Sequence, residues 1–328
     1  MDQGHILGRG ARVFGAVCCA LLALLSLVWM GRDVGVAAEP PDLWWFWTGA
    51  PEVAPGTAWG TSLYDPVLVG VYAVVGVTAL YSTAAAGALG TAGAVTILLR
   101  APALWTLTSD WMQGVDQDLR NRALLSAGTA VTLGAVLLIS VAAGRRPADS
   151  AAGGYLRPDE RPPHRPSRGA AGTGLVFLGA AAVAFAAWEV RGAVVAGWSV
   201  YGDRLTGEGT SYALLMPPVA YGKWAVAALC LAAAVAAARR VALARPLGMT
   251  AGALVLGWGA ADTSRYLRAE VFENFGALAT EQQLQAATAV GLLPAGFVIL
   301  FAFAGRGERD PVAEPLSRWQ EPSSPPPW

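Results

Sequence analysis

The chain has 328 residues, of which 55% are apolar and only 14% charged, and its mean hydropathy is +0.45. Soluble domains carry about 25% charged residues, so this composition excludes an ordinary soluble protein. Basic and acidic residues number 23 each, which leaves no net positive charge of the kind nucleic acid attracts.

The apolar residues are bunched into eight runs, near 12–30, 66–83, 84–100, 123–143, 170–189, 218–238, 246–262 and 286–304. Each approaches the ~20 helical residues that span a hydrocarbon core. Backbone polar groups in lipid must be paired within a segment, and the runs lack the alternation of barrel strands. The expected fold class is therefore all-α, a polytopic transmembrane helical bundle of eight helices in a lipid bilayer.

The first run follows Arg9 and Arg12 and precedes small residues around Ala38, features that also suit a cleaved signal peptide. The repeat described below favours a retained helix. The loop 31–65 contains Trp44, Trp45, Phe46 and Trp47, which either anchor it in the headgroup layer or stack on a sugar, a headgroup or a partner's apolar patch. In the third run Ala86, Gly90 and Ala94 recur every four residues, as do Gly248 and Gly252 in the seventh, a spacing that lets helices approach closely. Pro294 in the eighth run is expected to kink it. Thr106 to Arg122 and Ser264 to Gln285 carry apolar residues at three- and four-residue spacing among charges, and predict amphipathic helices capping the bundle. Segment 144–169, rich in Pro, Arg, Gly and Ser, and the tail 306–328 read as disordered.

The two halves are similar in tandem. At an offset of 159, Trp29 and Arg32 fall on Trp188 and Arg191, and Thr91, Ala92, Gly93 and Ala94 fall on Thr250, Ala251, Gly252 and Ala253. Leu119, Leu125, Ala127, Thr129, Ala130 and Val131 fall on Leu278, Leu284, Ala286, Thr288, Ala289 and Val290. Gly60, Thr61 and Ser62 match Gly209, Thr210 and Ser211 at a shifted offset. Such self-similarity predicts two parallel four-helix units, residues 1–143 and 170–305, joined by the linker 144–169 and followed by the tail 306–328.

With the N-terminus placed in the cytoplasm, 14 of the 23 basic residues lie on the inner side, in short segments, while 15 of the 23 acidic residues lie outside. The positive-inside rule then sets both termini in the cytoplasm. Lys223 is the only lysine among the basic residues, the arginine-for-lysine bias of a high-GC bacterium, so the expected location is a bacterial cytoplasmic membrane. Cys18, Cys19 and Cys230 sit within apolar runs and read as packing residues.

Catalytic constellations are absent from the sequence. His5 and His164 both lie in the cytoplasmic segments, and no phosphate-binding loop or Cys and His zinc spacing occurs, so no metal or other cofactor is implied and no enzyme is expected. Asp65, Asp110 and Glu208 read as solvated loop acids. Glu189, Arg32, Arg100, Arg191, Lys223 and Asp262 fall at or near outer helix ends, and none falls at mid-depth, which disfavours a carrier built on a buried carboxylate.

The remaining candidate is a ligand site. Trp29 with Arg32, and Trp188 with Arg191, stand one turn apart at equivalent outer helix ends. Each pair sets a guanidinium fork beside an aromatic wall, suited to an anionic lipid or small molecule, with Glu189 available to orient Arg191. A plain Trp and Arg membrane-boundary belt is the alternative. Two functions from different classes follow: outward-facing binding or transport of an envelope-related small molecule or lipid, or a non-enzymatic scaffold that recruits a membrane protein partner. A cavity between the halves would favour the first, and a solid bundle with an apolar cap the second.

Overall fold

The computed structural model describes residues 5–50, 58–147, 163–208, 213–305 and 307–308. Most of the linker, most of the tail and the Gly209 to Ser211 match lie outside these residues. Among them the chain forms helices α1 (Arg9–Val36), α2 (Pro40–Thr48), α3 (Tyr64–Tyr81), α4 (Ala85–Thr106), α5 (Gln117–Ala143), α6 (Arg168–Ala196), α7 (Trp198–Thr206), α8 (Val219–Ala238), α9 (Ala244–Arg268) and α10 (Thr280–Ala304). Eight are long, and each contains most or all of one apolar run. The protein is an all-α polytopic bundle.

Seven of the long helices are apolar enough to cross a membrane by length and composition. The exception is α9, whose face is diluted by Gly248, Thr250, Gly252 and Gly259 and whose last turns carry Asp262, Arg265 and Arg268. It nonetheless traverses the bundle. Strands β1 (His5–Leu7) and β2 (Arg145–Pro147) pair antiparallel, which brings the start of α1 and the end of α5 to one face. Arg165 bridges Glu308, and Arg240 donates to the Pro166 carbonyl at 3.2 Å, which brings together the start of α6, the α8–α9 turn and the end of α10. Chain ends that meet on one face require an even number of traversals between them, so α9 must run back between α8 and α10. We call this side the terminal face and the opposite side the distal face. The two ends of the 144–169 segment are thus ordered.

Helices pair in the same order in each half: α1 with α3 and α4 with α5, then α6 with α8 and α9 with α10. One continuous core joins the halves, with Tyr72, Leu89 and Leu99 in the same cluster as Val226, Leu254 and Phe303. The three cysteines are free and buried, in accord with a packing role.

Close approach is made by glycines, though not all of those expected. A Cβ on Gly248 would come within 2.4 Å of the Phe303 ring, and one on Gly252 within 2.7 Å of Ile299. In α4 the seam runs through Gly93, whose added Cβ would meet the Gly134 carbonyl at 2.7 Å, while Gly90 has nothing within 4 Å and Ala94 is exposed. Small residues cover every face of α4, so spacing alone could not select the packed one.

The distal loops also differ from expectation. No amphipathic cap helix forms over Thr106 to Arg122 or Ser264 to Gln285; α4 and α9 extend into these stretches and α5 and α10 begin within them, separated by short 3-10 turns at Asp110–Met112 and Phe275–Ala277. The short distal helices are instead α2 and α7. A capping box between Glu39 and Asp42, Pro40 in the first turn, and Gly49 at φ 76° bound α2. Within it Phe46 stacks on Trp59 at 4.8 Å and the Trp47 indole N–H donates to Thr61 Oγ1 at 3.2 Å, so the aromatic cluster is packed structure.

Each half reaches over the other. The Arg268 guanidinium lies 4.3 Å from the Trp45 ring centroid, and the amides of Leu214 and Leu215 donate to the carbonyls of Trp59 and Gly60 at 2.9 and 3.0 Å.

Candidate functional site

The two predicted Trp and Arg pairs have different surroundings. Trp29 is buried, with its indole N–H on Ser126 Oγ at 2.9 Å. Arg32 donates to Asp33 at 2.8 Å and to the Ala58 carbonyl at 2.6 Å. Asp33, fully buried, accepts the amides of Gly60 and Thr61 and the Thr61 hydroxyl at 2.6 to 3.0 Å. Arg32 and Asp33 therefore hold the 58–61 segment; Trp29 is buried, and Arg32, 30% exposed, is engaged through Nη1.

Directly beneath lies a second buried charge. Asp65 forms an ion pair with Arg100, and Arg100 also donates to the Leu215 carbonyl at 2.9 Å and to Ser26 Oγ at 3.3 Å. The other Asp65 oxygen accepts the Ser62 amide at 2.8 Å. Asp65 is fully buried and is not the solvated loop acid expected: it holds the Ser62 amide just ahead of α3, and Arg100 offsets its charge. The cleft that remains here, bordered by Leu25, Ser26, Ser126, Ala130 and Leu215, holds only about 10 Å³.

In the second half the corresponding region is open. A cavity of about 360 Å³ is walled by α6 and α10 and backed by α7, α8 and α9. It runs from Glu281 to Leu292 along α10, roughly 16 Å at ~1.5 Å per residue. Trp188, Glu189 and Arg191 all line it.

Its charge is layered. Near the distal end stand Arg191, Arg204, Arg265 and Glu281; one turn deeper come Glu189, Lys223 and Asp262; Ala184, Phe185, Ala289 and Leu292 form an apolar floor. Arg191 pairs with Glu281, Lys223 with Glu189 at 3.4 Å, and Arg265 with Asp262 at 3.0 Å. Among the described residues no carboxylate lies within ion-pair distance of Arg204, whose guanidinium lies over Gly192. Four cations against three carboxylates leave the cavity one positive charge in excess.

Glu189 does not orient Arg191. Its carboxylate, buried on the inner side of α6, takes Lys223 and the Tyr201 hydroxyl at 3.1 Å, while Arg191 turns outward to Glu281. Tyr201 in turn accepts the Trp224 indole N–H at 2.6 Å. Burial, reinforced by the Glu189 charge, raises the Tyr201 phenol above its ordinary pKa, so it serves as a neutral donor. The Trp188 indole N–H reaches Thr288 Oγ1 at 3.3 Å, which fixes its ring as one wall of the cavity.

Sequence reasoning missed Arg204, Arg265 and Tyr266 as members of the site. A signal was present: Glu189, Arg191, Lys223, Asp262 and Arg265 all fall near the distal ends of second-half helices, as Arg32, Asp33, Asp65 and Arg100 do in the first half, where they pair with one another. Arg204 carried no such signal, because it falls between the apolar runs 170–189 and 218–238 and away from their ends.

No family model matches the chain, and no curated protein or solved structure is significantly similar to it.

Proposed function

We propose that this multi-pass membrane protein binds an anionic ligand, a lipid or an envelope-related small molecule, in the cavity of its second half. The observation that carries this reading is Arg204, a cation without a carboxylate partner among the described residues, in a cavity that already holds three ion pairs and an aromatic wall. A bound anion would neutralise the excess charge through charge-assisted hydrogen bonds in a partly desolvated place, where they are strongest. On the positive-inside argument the cavity faces outward from a bacterial cytoplasmic membrane, with both termini in the cytoplasm and the two halves derived by duplication.

Binding is favoured over passage by the closed floor. Below Leu292 the half is filled by Phe303, whose ring packs directly on Gly174 and Gly248; between the halves, α3, α4 and α9 border a separate, largely apolar cleft of about 200 Å³. The cavity lies within one half, not between the two.

The test is what the purified full chain carries. An organic extract of the wild type analysed in negative-ion mode should contain one anionic species in stoichiometric amount. It should be depleted in Arg204→Gln and Arg191→Gln and retained in Arg32→Gln. Equal content in all four proteins would refute the site. The scaffold reading draws on the exposed Val194, Val195, Trp198 and Val200 beside the cavity mouth; it predicts a co-purifying membrane protein and no such anion.

A further inference from the structure

Building on that reading, we infer that the ligand is a single-chain amphiphile with one acidic headgroup, because the first half holds the same cleft already filled by a group of similar shape. At the offset of 159, Leu25, Ser26, Ser126 and Ala130 around the first cleft fall on Ala184, Phe185, Gln285 and Ala289 around the second. In the first half the α7–α8 connection crosses over and inserts Leu215, only 3% exposed, into this space. The side chain fills the apolar part, and the Leu215 carbonyl oxygen accepts from the Arg100 guanidinium at 2.9 Å. The occupant is thus an apolar body whose oxygen faces a cation.

In the second half no chain segment among the described residues takes that place. The position equivalent to Arg100 is Gly259, where even a Cβ would come within 2.7 Å of the Leu293 backbone, so α9 cannot supply the cation at that point. Lys223 from α8 and Arg204 from α7 supply positive charge instead, and Lys223 is already engaged by Glu189. The single excess charge calls for a monoanion. The apolar floor under it, reached through roughly three helical turns of α10, calls for a chain attached to that anion. About 360 Å³ lies near the lower end of ligand pockets, usually about 300–1,000 Å³, which suits one chain and not two.

Native mass spectrometry of the full chain in detergent tests this, with oleate, methyl oleate and dioleoylphosphatidylglycerol as probes. Oleate should add once per chain, and Arg204→Gln should weaken that adduct about tenfold, the loss expected for one charge-assisted hydrogen bond. Methyl oleate, with the same chain and no charge, should fail to bind. Equal binding of oleate and its ester would overturn the inference, as would an oleate adduct indifferent to Arg204→Gln. Displacement of oleate by the two-chain phospholipid would assign the site to a bilayer lipid and overturn the single-chain class. If no oleate binds while the extracted anion still depends on Arg204, the ligand class is wrong and the binding reading stands. If no Arg204-dependent anion exists at all, the reading beneath it falls.

Discussion

Buried charge separates the two halves more sharply than any apolar contact. Arg100 and Asp65 are held to each other and to Ser26, Ser62 and Leu215, so each partner needs the other. Removing one side of such a pair leaves a buried, uncompensated charge and typically costs about 3–5 kcal/mol. Asp65→Asn and Arg100→Met should each lower the melting temperature of the purified protein sharply, and an unchanged melt would contradict the burial described. Arg191 and Glu281 provide the contrast, since that pair is about half exposed. Glu281→Gln should leave the melt unchanged, because exposed ion pairs contribute little to stability. These residues were only partly legible in the sequence. Helix-end placement identified Arg100, Glu189, Arg191 and Lys223, but pairing depends on which loop crosses to which half. Asp65 looked like a loop acid because the guanidinium that holds it comes from 35 residues away, on another helix.

Apolar runs located all eight long helices, because a segment that must satisfy its backbone in lipid leaves a contiguous mark in composition. The packed faces left no such mark. In α4 nearly every face is small enough to pack, and only the partner helix selects Gly93 over Gly90. A side chain at Gly93 would enter the Gly134 backbone of α5. Gly93→Leu should therefore destabilise the protein by at least the ~1–3 kcal/mol of an overpacked core, and Gly90→Leu should be tolerated. Yields of folded, monodisperse protein after detergent extraction would decide this, and equal yields would contradict the α4–α5 seam. The charged cap sequences misled for a related reason. Three- and four-residue spacing describes one helix as well as the end of one and the start of the next, and a 3-10 turn between them leaves no break in the pattern.

The whole molecule is more asymmetric than its sequence similarity suggests. The helix order and pairing agree between halves, yet one half is closed by Leu215 and the other is open. A paired-offset reading of the sequence could not show this, because the plug comes from the opposite half. The meeting of helix ends on the terminal face requires an even number of traversals, which α9 completes. Single cysteines at Ala151 and Gly56, in a background without the native three, should then react oppositely with an impermeant thiol reagent added to intact cells. Labelling at Gly56 alone is expected, and labelling at Ala151 alone would invert the orientation. Retention of α1 is expected as well, since Cys18, Cys19 and Leu22 pack in the common core. The mass of the purified protein should include residues 9–36, and a mature chain starting after Ala38 would contradict it.

The reactivity of a cysteine on the wall of the second-half cavity measures its positive excess directly. Gly192 lines the cavity beside Arg204, and its added Cβ would sit 3.4 Å from the guanidinium, leaving room for a small side chain. In purified Gly192→Cys protein lacking the native cysteines, modification rates should be measured with a sulfonate-bearing and an ammonium-bearing thiosulfonate reagent. Each rate is divided by that reagent's rate with a free thiol in solution. The anionic reagent should be favoured, the preference should fall as salt rises, and adding Arg204→Gln should abolish it. A preference for the cationic reagent, or none at low salt, would contradict the positive excess.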